Sequence, residues 1–247
     1  LLAVTFNNML ARLEQAFKRI RQFSAAASHE LRTPLTIMKG ELEVTLRKPR
    51  SAEEYQRALG TQLEALNEMV DIVEQLLLLA HSEESEKTLE QHPLDLRTIS
   101  NKICDTWRSL AEAKGIRIQT CSDAPVWVHG EQRLLERLIS NLLDNAVKHT
   151  PRGGQVGISL VRKEAEACLT VKDTGPGISP EELPKIFDKF FSRYSKIDGT
   201  ASTGLGLGLC RWIAEVHRGR IEISSHPGEG ASFTVFLPAV QPPLSSQ

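Results

Sequence analysis

His29 and Glu30 stand side by side in the segment Ser28–Leu35, SHELRTPL, with Thr33 one helical turn on and Pro34 following it. A histidine acts as a nucleophile when one ring nitrogen has a bare lone pair and an acceptor holds the proton on the other. Glu30 is placed to accept that proton and to stabilise the imidazolium formed on attack. Further along, Asn141, Asn145 and Lys148 in NLLDNAVKHT follow spacings of four and three, so they share one helical face. An amide oxygen is a hard ligand suited to Mg²⁺, and an ammonium suits phosphate. Asp173-Thr174-Gly175-Pro176-Gly177 sets a carboxylate able to accept from an exocyclic amine beside glycines that let the backbone approach a flat ligand. Thr203–Gly208, TGLGLG, opens a helical stretch, and backbone amides at a glycine-rich helix start form an anion site. No Lys-Ser/Thr follows those glycines and the spacing is not GxGxxG after a first strand, which excludes a P-loop and a dinucleotide fingerprint. Taken singly, each segment also reads as ordinary: a solvated histidine, a polar helix face, a turn.

The elements that must position these groups differ along the chain. Phe6, Leu10, Leu13, Phe17, Ile20, Ala27, Leu31 and Met38 step mostly by four and three. Leu59, Leu63, Leu66, Val70, Val73, Leu77 and Ala80 alternate four and three without a miss, a heptad seam that asks for partner helices. Between the two segments, Pro49 stops one helix and Ser51 caps the next, with Glu54 completing a capping box. Such a hairpin cannot cover both its seams, so the expectation is a homodimer that closes a four-helix bundle. At about 100° per residue, Phe23, Ala27, Leu31, Leu35, Met38, Leu42 and Leu46 gather on one side. His29 lies opposite the centre of that stripe, with Thr33 about 40° from it, so both face outward. Pro34 is expected to bend the helix beside them.

The run HSEESEKT at 81–88 reads as a polar linker. Beyond it, strands are expected at 115–119, 126–128, 156–161, 167–171, 220–224 and 232–237. Helices are expected near 96–113, 131–148 and 207–216. Their interleaving predicts a two-layer α/β sandwich domain after the helical hairpin, so the fold class is α plus α/β. The tail from Pro242 looks disordered.

The 247 residues, 40% hydrophobic and 25% charged, allow proper cores, and a net charge of −1 argues against a nucleic-acid groove. The four cysteines lie far apart without a CxxC pair, which argues against metal or disulfide use. No apolar run approaches the roughly 20 residues of a membrane helix. The chain opens at Leu1 in mid-pattern, so it is expected to be the soluble part of a longer protein cut inside a helix.

FSAAASHELRTPL, Phe23–Leu35, closely resembles the phosphoacceptor box of bacterial two-component sensor histidine kinases. Four further boxes follow in that family's order. They are Asn141–Thr150, Asp173–Gly177, Ile186–Phe191 with Thr203–Gly208, and Gly228–Phe233. The resemblance implies a histidine kinase that uses ATP and Mg²⁺ to phosphorylate His29, then passes the phosphoryl group to an aspartate of a response regulator receiver domain. It makes Glu30 the base, and Thr33 the residue that orients water for a phosphatase activity on the regulator. It gives Asn145 the magnesium, and Asn141, Lys148, Asp173, Gly175, Gly177, Gly204, Leu205 and Gly206 the nucleotide, with Asp173 reading the adenine amine. Relatives place an arginine directly after the second phenylalanine of the lid box. Here Ser192 intervenes, so Arg193, Lys189 and Lys196 are the candidates for the γ-phosphate cation. His149 stands where many relatives have tyrosine.

The implied domains are the end of a HAMP-type signalling helix at 1–22, a dimerisation and phosphotransfer domain at 23–85, a linker at 86–91, the catalytic ATP-binding domain at 92–240 and the tail at 241–247. The family also implies a parent protein anchored in the bacterial inner membrane upstream of residue 1, with this part on the cytoplasmic side. Two rival functions share some of these features. An ATP-driven clamp of the same nucleotide-binding superfamily needs Asn145, Asp173 and the glycines but not His29 beside Glu30. A dimeric scaffold that binds a regulator needs neither ATP nor chemistry.

Overall fold

The structure is a computed structural model. It describes residues 31–80, 90–122, 124–187 and 206–243, together with Phe6, Leu10, Glu14, Ala27 and Ser28. The chain divides into two compact units, Leu1–Leu78 and Leu79–Gln247.

In the first unit, helix α1 (residues 31–46) is followed by α2 (Ala52–Ala80). Helical backbone continues through Pro34. The turn between them is built from local bonds. Arg50 Nε donates to Thr45 O at 3.2 Å, satisfying a carbonyl at the end of α1. Ser51 N donates to Glu54 Oε2 at 2.9 Å and Glu54 N to Ser51 Oγ at 3.2 Å, the capping box its spacing predicts. The Ser51 amide holds the Glu54 carboxyl below its usual range.

The apolar stripe of the hairpin divides into two. Tyr55, Ala58, Gln62, Ala65, Met69 and Ile72 of α2 are buried or half-buried, as are Leu31, Pro34, Met38 and Thr45 of α1. Gln62 Nε2 donates to Glu41 Oε2 at 2.8 Å between the two helices. The heptad seam lies beside this face. Leu59, Leu63, Leu66, Val70 and Val73 are 63, 59, 47, 51 and 40% exposed, as are Leu35, Leu42 and Leu46 of α1 at 52, 40 and 74%. In the single chain the described part of the expected stripe, from Leu31 to Leu46, is covered unevenly. Leu31 and Met38 turn inward, while Leu35, Leu42 and Leu46 stay exposed, because a stripe this wide spans more of the helix than one neighbour covers.

The second unit orders its elements β1 (His92–Asp95), α3 (Leu96–Ala113), β2 (Arg117–Cys121), β3 (Trp127–Gly130), α4 (Gln132–His149), β4 (Gln155–Lys163), β5 (Glu166–Asp173), α5 (Gly206–Val216), β6 (Arg220–Ser225) and β7 (Ala231–Val240). The sheet runs β1-β3-β7-β5-β4-β2, with β6 also on β7. Only β2–β4 is parallel. β6 and β3 follow one another along one edge of β7, while β5 occupies its other edge.

The three helices form the second layer, α4 between α3 and α5 and over β4 and β5. α4 buries Leu134, Leu135, Leu138, Ile139, Leu142, Leu143, Ala146 and Val147. They meet Val156, Ile158, Leu160, Leu169, Val171, Phe233, Val235 and Leu237, the inward positions of alternating strands. Burying each such leucine or phenylalanine contributes about 1.5–3 kcal/mol, so this face anchors α4 and whatever its other face carries.

The sequence-predicted helices agree with α3, α4 and α5 to within a residue at each end. Two differences have local causes. Gly115 N donates to Glu112 O and Ile116 N to Ala111 O, so the end of α3 takes the residues expected to begin β2. β1 was not expected at all. Its four residues, HPLD, are too short to alternate, and they pair with β3 only through the register His92 to Gly130. Asp95 then caps α3, accepting from Arg97 N at 3.0 Å and Val126 N at 3.2 Å.

Candidate functional site

α4 has a second face. Asn141, Asp144, Asn145 and His149 are half-buried and Lys148 is exposed, all on the side away from the leucines. Lys148 Nζ lies 2.7 Å from Asp144 Oδ2, one turn back. Asn141 sits where α5 begins, since a Cβ added at Gly206 would stand 3.9 Å from its Cγ. Its Nδ2 is buried, and the thiol of Cys210, a weak acceptor, is the group it meets. The spacing of four and three thus does bring Asn141, Asn145 and Lys148 to one face, with Gly206 beside the first.

Asp173 ends β5 and is 4% exposed. Its Oδ1 accepts from Gly175 N at 2.8 Å and Ala231 N at 3.2 Å. Burial pushes its pKa above the usual carboxylate value, opposed by those two amides and by the charge of His149. Both hydrogen bonds fall on Oδ1, so the other carboxylate oxygen is the one left to meet a ligand's donor.

Gly175 and Gly177 also have a packing role. A Cβ at Gly175 would lie 2.7 Å from His149 O, and one at Gly177 (φ +70°) would collide with the His226 carbonyl. The space their missing side chains leave is filled by protein backbone, so these glycines bind the Asp173 loop against its neighbours. Thr174 adds a further tie, accepting from Gln155 N at 2.9 Å.

Two positioning residues escaped sequence reasoning. Thr174 is one, because its hydroxyl meets a strand start that only the fold brings near. Ser225 is the other. Its Oγ accepts from Ile178 N at 2.9 Å and donates to Gly230 O at 2.6 Å. A signal for Ser225 existed, since β6 alternates Ile221, Ile223 and Ser225, which puts a hydroxyl at an inward position.

Ile186 is buried, and the Phe187 ring stands edge-on to core Phe233 at 6.5 Å, so the start of the expected lid box is rooted in the core. His29, Glu30, Arg193, Lys189, Lys196, Gly204 and Leu205 lie outside the described residues. Thr33 is exposed on α1. Cys104 and Cys210 are buried thiols pushed up to about 11 and about 12, so neither is a reactive nucleophile. No helix of the described residues is long and apolar enough to cross a membrane.

These features match known families. Residues 19–85 match the His Kinase A (phospho-acceptor) domain. Residues 130–241 match the Histidine kinase-, DNA gyrase B-, and HSP90-like ATPase. The chain belongs to the sensor histidine kinase family, and combines a helical phospho-acceptor domain with an α/β sandwich ATPase domain. It is 34% identical over 242 residues to the sensor histidine kinase CusS of Escherichia coli, covering 96% of this chain and 49% of that protein. It is 38% identical over 240 residues to the sensor protein CutS of Streptomyces coelicolor, covering 96% and 57%. The chain thus spans about half the length of the curated relatives it matches. Among solved structures, the Acinetobacter baumannii histidine kinase AdeS shares the fold with a TM-score of 0.69 at 23% identity, over 86% of this chain and 98% of that one. The histidine kinase ThkA in complex with the response regulator protein TrrA shares it with a TM-score of 0.70 at 21% identity, over 92% and 64%.

Proposed function

We propose that this chain is the kinase portion of a two-component sensor, an ATP-dependent protein-histidine kinase acting as a homodimer. The reading rests on one observation above the rest. A phospho-acceptor match that contains SHELRTPL and an ATPase match that contains Asp173 and the polar face of α4 stand in one chain.

The residues present fit an adenine nucleotide with Mg²⁺. Asn141 carries a buried amide donor with only the weakly accepting Cys210 thiol beside it, Asn145 adds a hard oxygen on the same face, and Asp173 keeps one carboxylate oxygen clear of its two amide bonds. Asp173 accepts from the adenine amine. Asn141 and Lys148 contact the nucleotide, and Lys148 exchanges or shares its pairing with Asp144 as it does so. Asn145 would hold Mg²⁺, which would supply charge neutralisation at the phosphates, the main demand of phosphoryl transfer beyond positioning. The glycine-rich segment Gly204-Leu205-Gly206 presents backbone amides to the phosphates, and Arg193, Lys189 or Lys196 supplies the cation for the γ-phosphate.

An imidazole nitrogen of His29 attacks the γ-phosphorus, a nitrogen–phosphorus bond forms, and ADP leaves. Glu30 holds the proton on the opposite nitrogen, keeping the attacking lone pair bare. The phosphoryl group then passes to an aspartate of a response regulator, and Thr33 orients water when the regulator is dephosphorylated. We further propose that the parent protein is anchored in the membrane upstream of this segment.

Incubation of the chain with γ-labelled ATP and Mg²⁺ tests the reading. Acid-labile, alkali-stable label that disappears in His29→Gln is the expected result. Turnover without label would mean a clamp-type ATPase, and neither turnover nor label would mean a scaffold. Thr33→Ala should keep the label while slowing dephosphorylation of the regulator.

A further inference from the structure

We infer that Ser225 is a positioning residue for adenine selection: its hydroxyl ties together the two loops that aim the Asp173 carboxylate. The inference rests on the proposed reading of Asp173 and adds a residue that does not itself touch the nucleotide.

Asp173 is held from two directions. Gly175 N belongs to its own loop, while Ala231 N comes from the start of β7, 58 residues away in sequence. The second bond is only as good as the placement of Gly230–Ala231. Gly230 has φ +82°, and its α-carbon lies so close to Asp173 that an added Cβ would collide with the Asp173 carbonyl. Backbone this close must be held in place, because a small shift turns the Ala231 amide off Oδ1.

Ser225 supplies the hold. Its hydroxyl donates to Gly230 O at 2.6 Å and accepts from Ile178 N at 2.9 Å, at a site only 8% exposed. One side chain therefore pins the exit of the Asp173 loop and the turn that delivers Ala231. Gly228 N to Pro176 O, at 2.8 Å, runs parallel to it between backbones, so the two loops stay together without Ser225 but lose their register near Asp173. In Ser225→Ala, the part-buried Ile178 amide and the buried Gly230 carbonyl both lose their Ser225 partner, an incentive for both segments to move toward water.

The consequence falls on base choice. A fixed carboxylate accepts from the 6-amino group of adenine and repels the 6-carbonyl of guanine, and a loosely held one does neither well. Displacement of a fluorescent ATP analogue by ATP and by GTP, on the full 247-residue chain, reads this directly. Ser225→Ala should bind ATP about tenfold more weakly, the equivalent of about 1.4 kcal/mol, with GTP affinity unchanged or raised. Ser225→Thr, which keeps the hydroxyl, should recover ATP selectivity, and Ser225→Cys, with a weaker donor of similar size, should fall between. Equal loss of ATP and GTP binding would mean general loosening and would overturn the inference, as would unchanged ATP selectivity in Ser225→Ala. Failure of the unsubstituted chain to bind ATP would instead overturn the nucleotide reading itself.

Discussion

Asp173→Asn separates recognition from folding, because the two respond to it in opposite directions. Asparagine keeps an oxygen to accept from Gly175 N and Ala231 N, but it turns the ligand-facing oxygen into an NH₂ donor. ATP binding then loses a hydrogen bond to a charged acceptor, about 1.5–3 kcal/mol, or about 10- to 150-fold in affinity. GTP, whose 6-carbonyl can accept from that NH₂, should gain relative to ATP. Folding moves the other way. Burial raises the Asp173 pKa in the folded state, so the wild-type group favours folding below its unfolded value and loses that contribution as pH rises through the folded one. The stability gap in favour of Asp173→Asn should therefore open above about pH 4, where an unfolded aspartate ionises, and level off above the folded-state value. Tryptophan fluorescence during urea unfolding is the assay. Trp107, Trp127 and Trp212 all lie in the unit Leu79–Gln247, so the signal reports that unit alone. A variant that binds ATP as tightly as wild type would refute Asp173 as the adenine reader. One that is clearly less stable at pH 7 would refute the account of its burial.

Leu63→Glu combined with Val70→Glu places two charges on the exposed seam of α2 while leaving the Tyr55–Ile72 stripe alone. Light scattering should find monomers with helical content retained, the dimer weakened by about 3 kcal/mol or more; a dimer that persists would show that this seam is not its interface. His217 should make the second unit acid-sensitive. It is 3% exposed, its Nδ1 bonds Ile213 O at 2.7 Å and its Nε2 accepts from Glu131 N at 3.1 Å, so the folded state holds the neutral ring. Burial lowers its pKa, so its contribution is full above about pH 6.5 and is lost as pH falls through the folded-state value. The urea midpoint should drop over that window, and His217→Gln should flatten the slope; an unchanged slope would contradict the assignment.

Much of this protein was legible before any coordinates, and the legible parts share a cause. The Ser51–Glu54 box, the heptad from Leu59, the helices α3 to α5 and the common face of Asn141, Asn145 and Lys148 depend on residues a few positions apart. Period and capping express such short-range physics directly in sequence. The five boxes likewise identified the family, because each is a contiguous run of residues.

Tertiary structure decided what depends on distant partners. β1 exists only through its register with β3, and β7 became the central strand because β3, β5 and β6 all pair with it. The broad stripe of α1 divided into an inward and an exposed half only once α2 lay against it. Gly175 and Gly177, which read as room for a ligand, also make room for the backbone of residues 149 and 226. The aim of Asp173 likewise rests on amides and a hydroxyl from residues 225–231. Spacing within a segment shows which face a group occupies, but it carries no information about which distant loop will hold that group still.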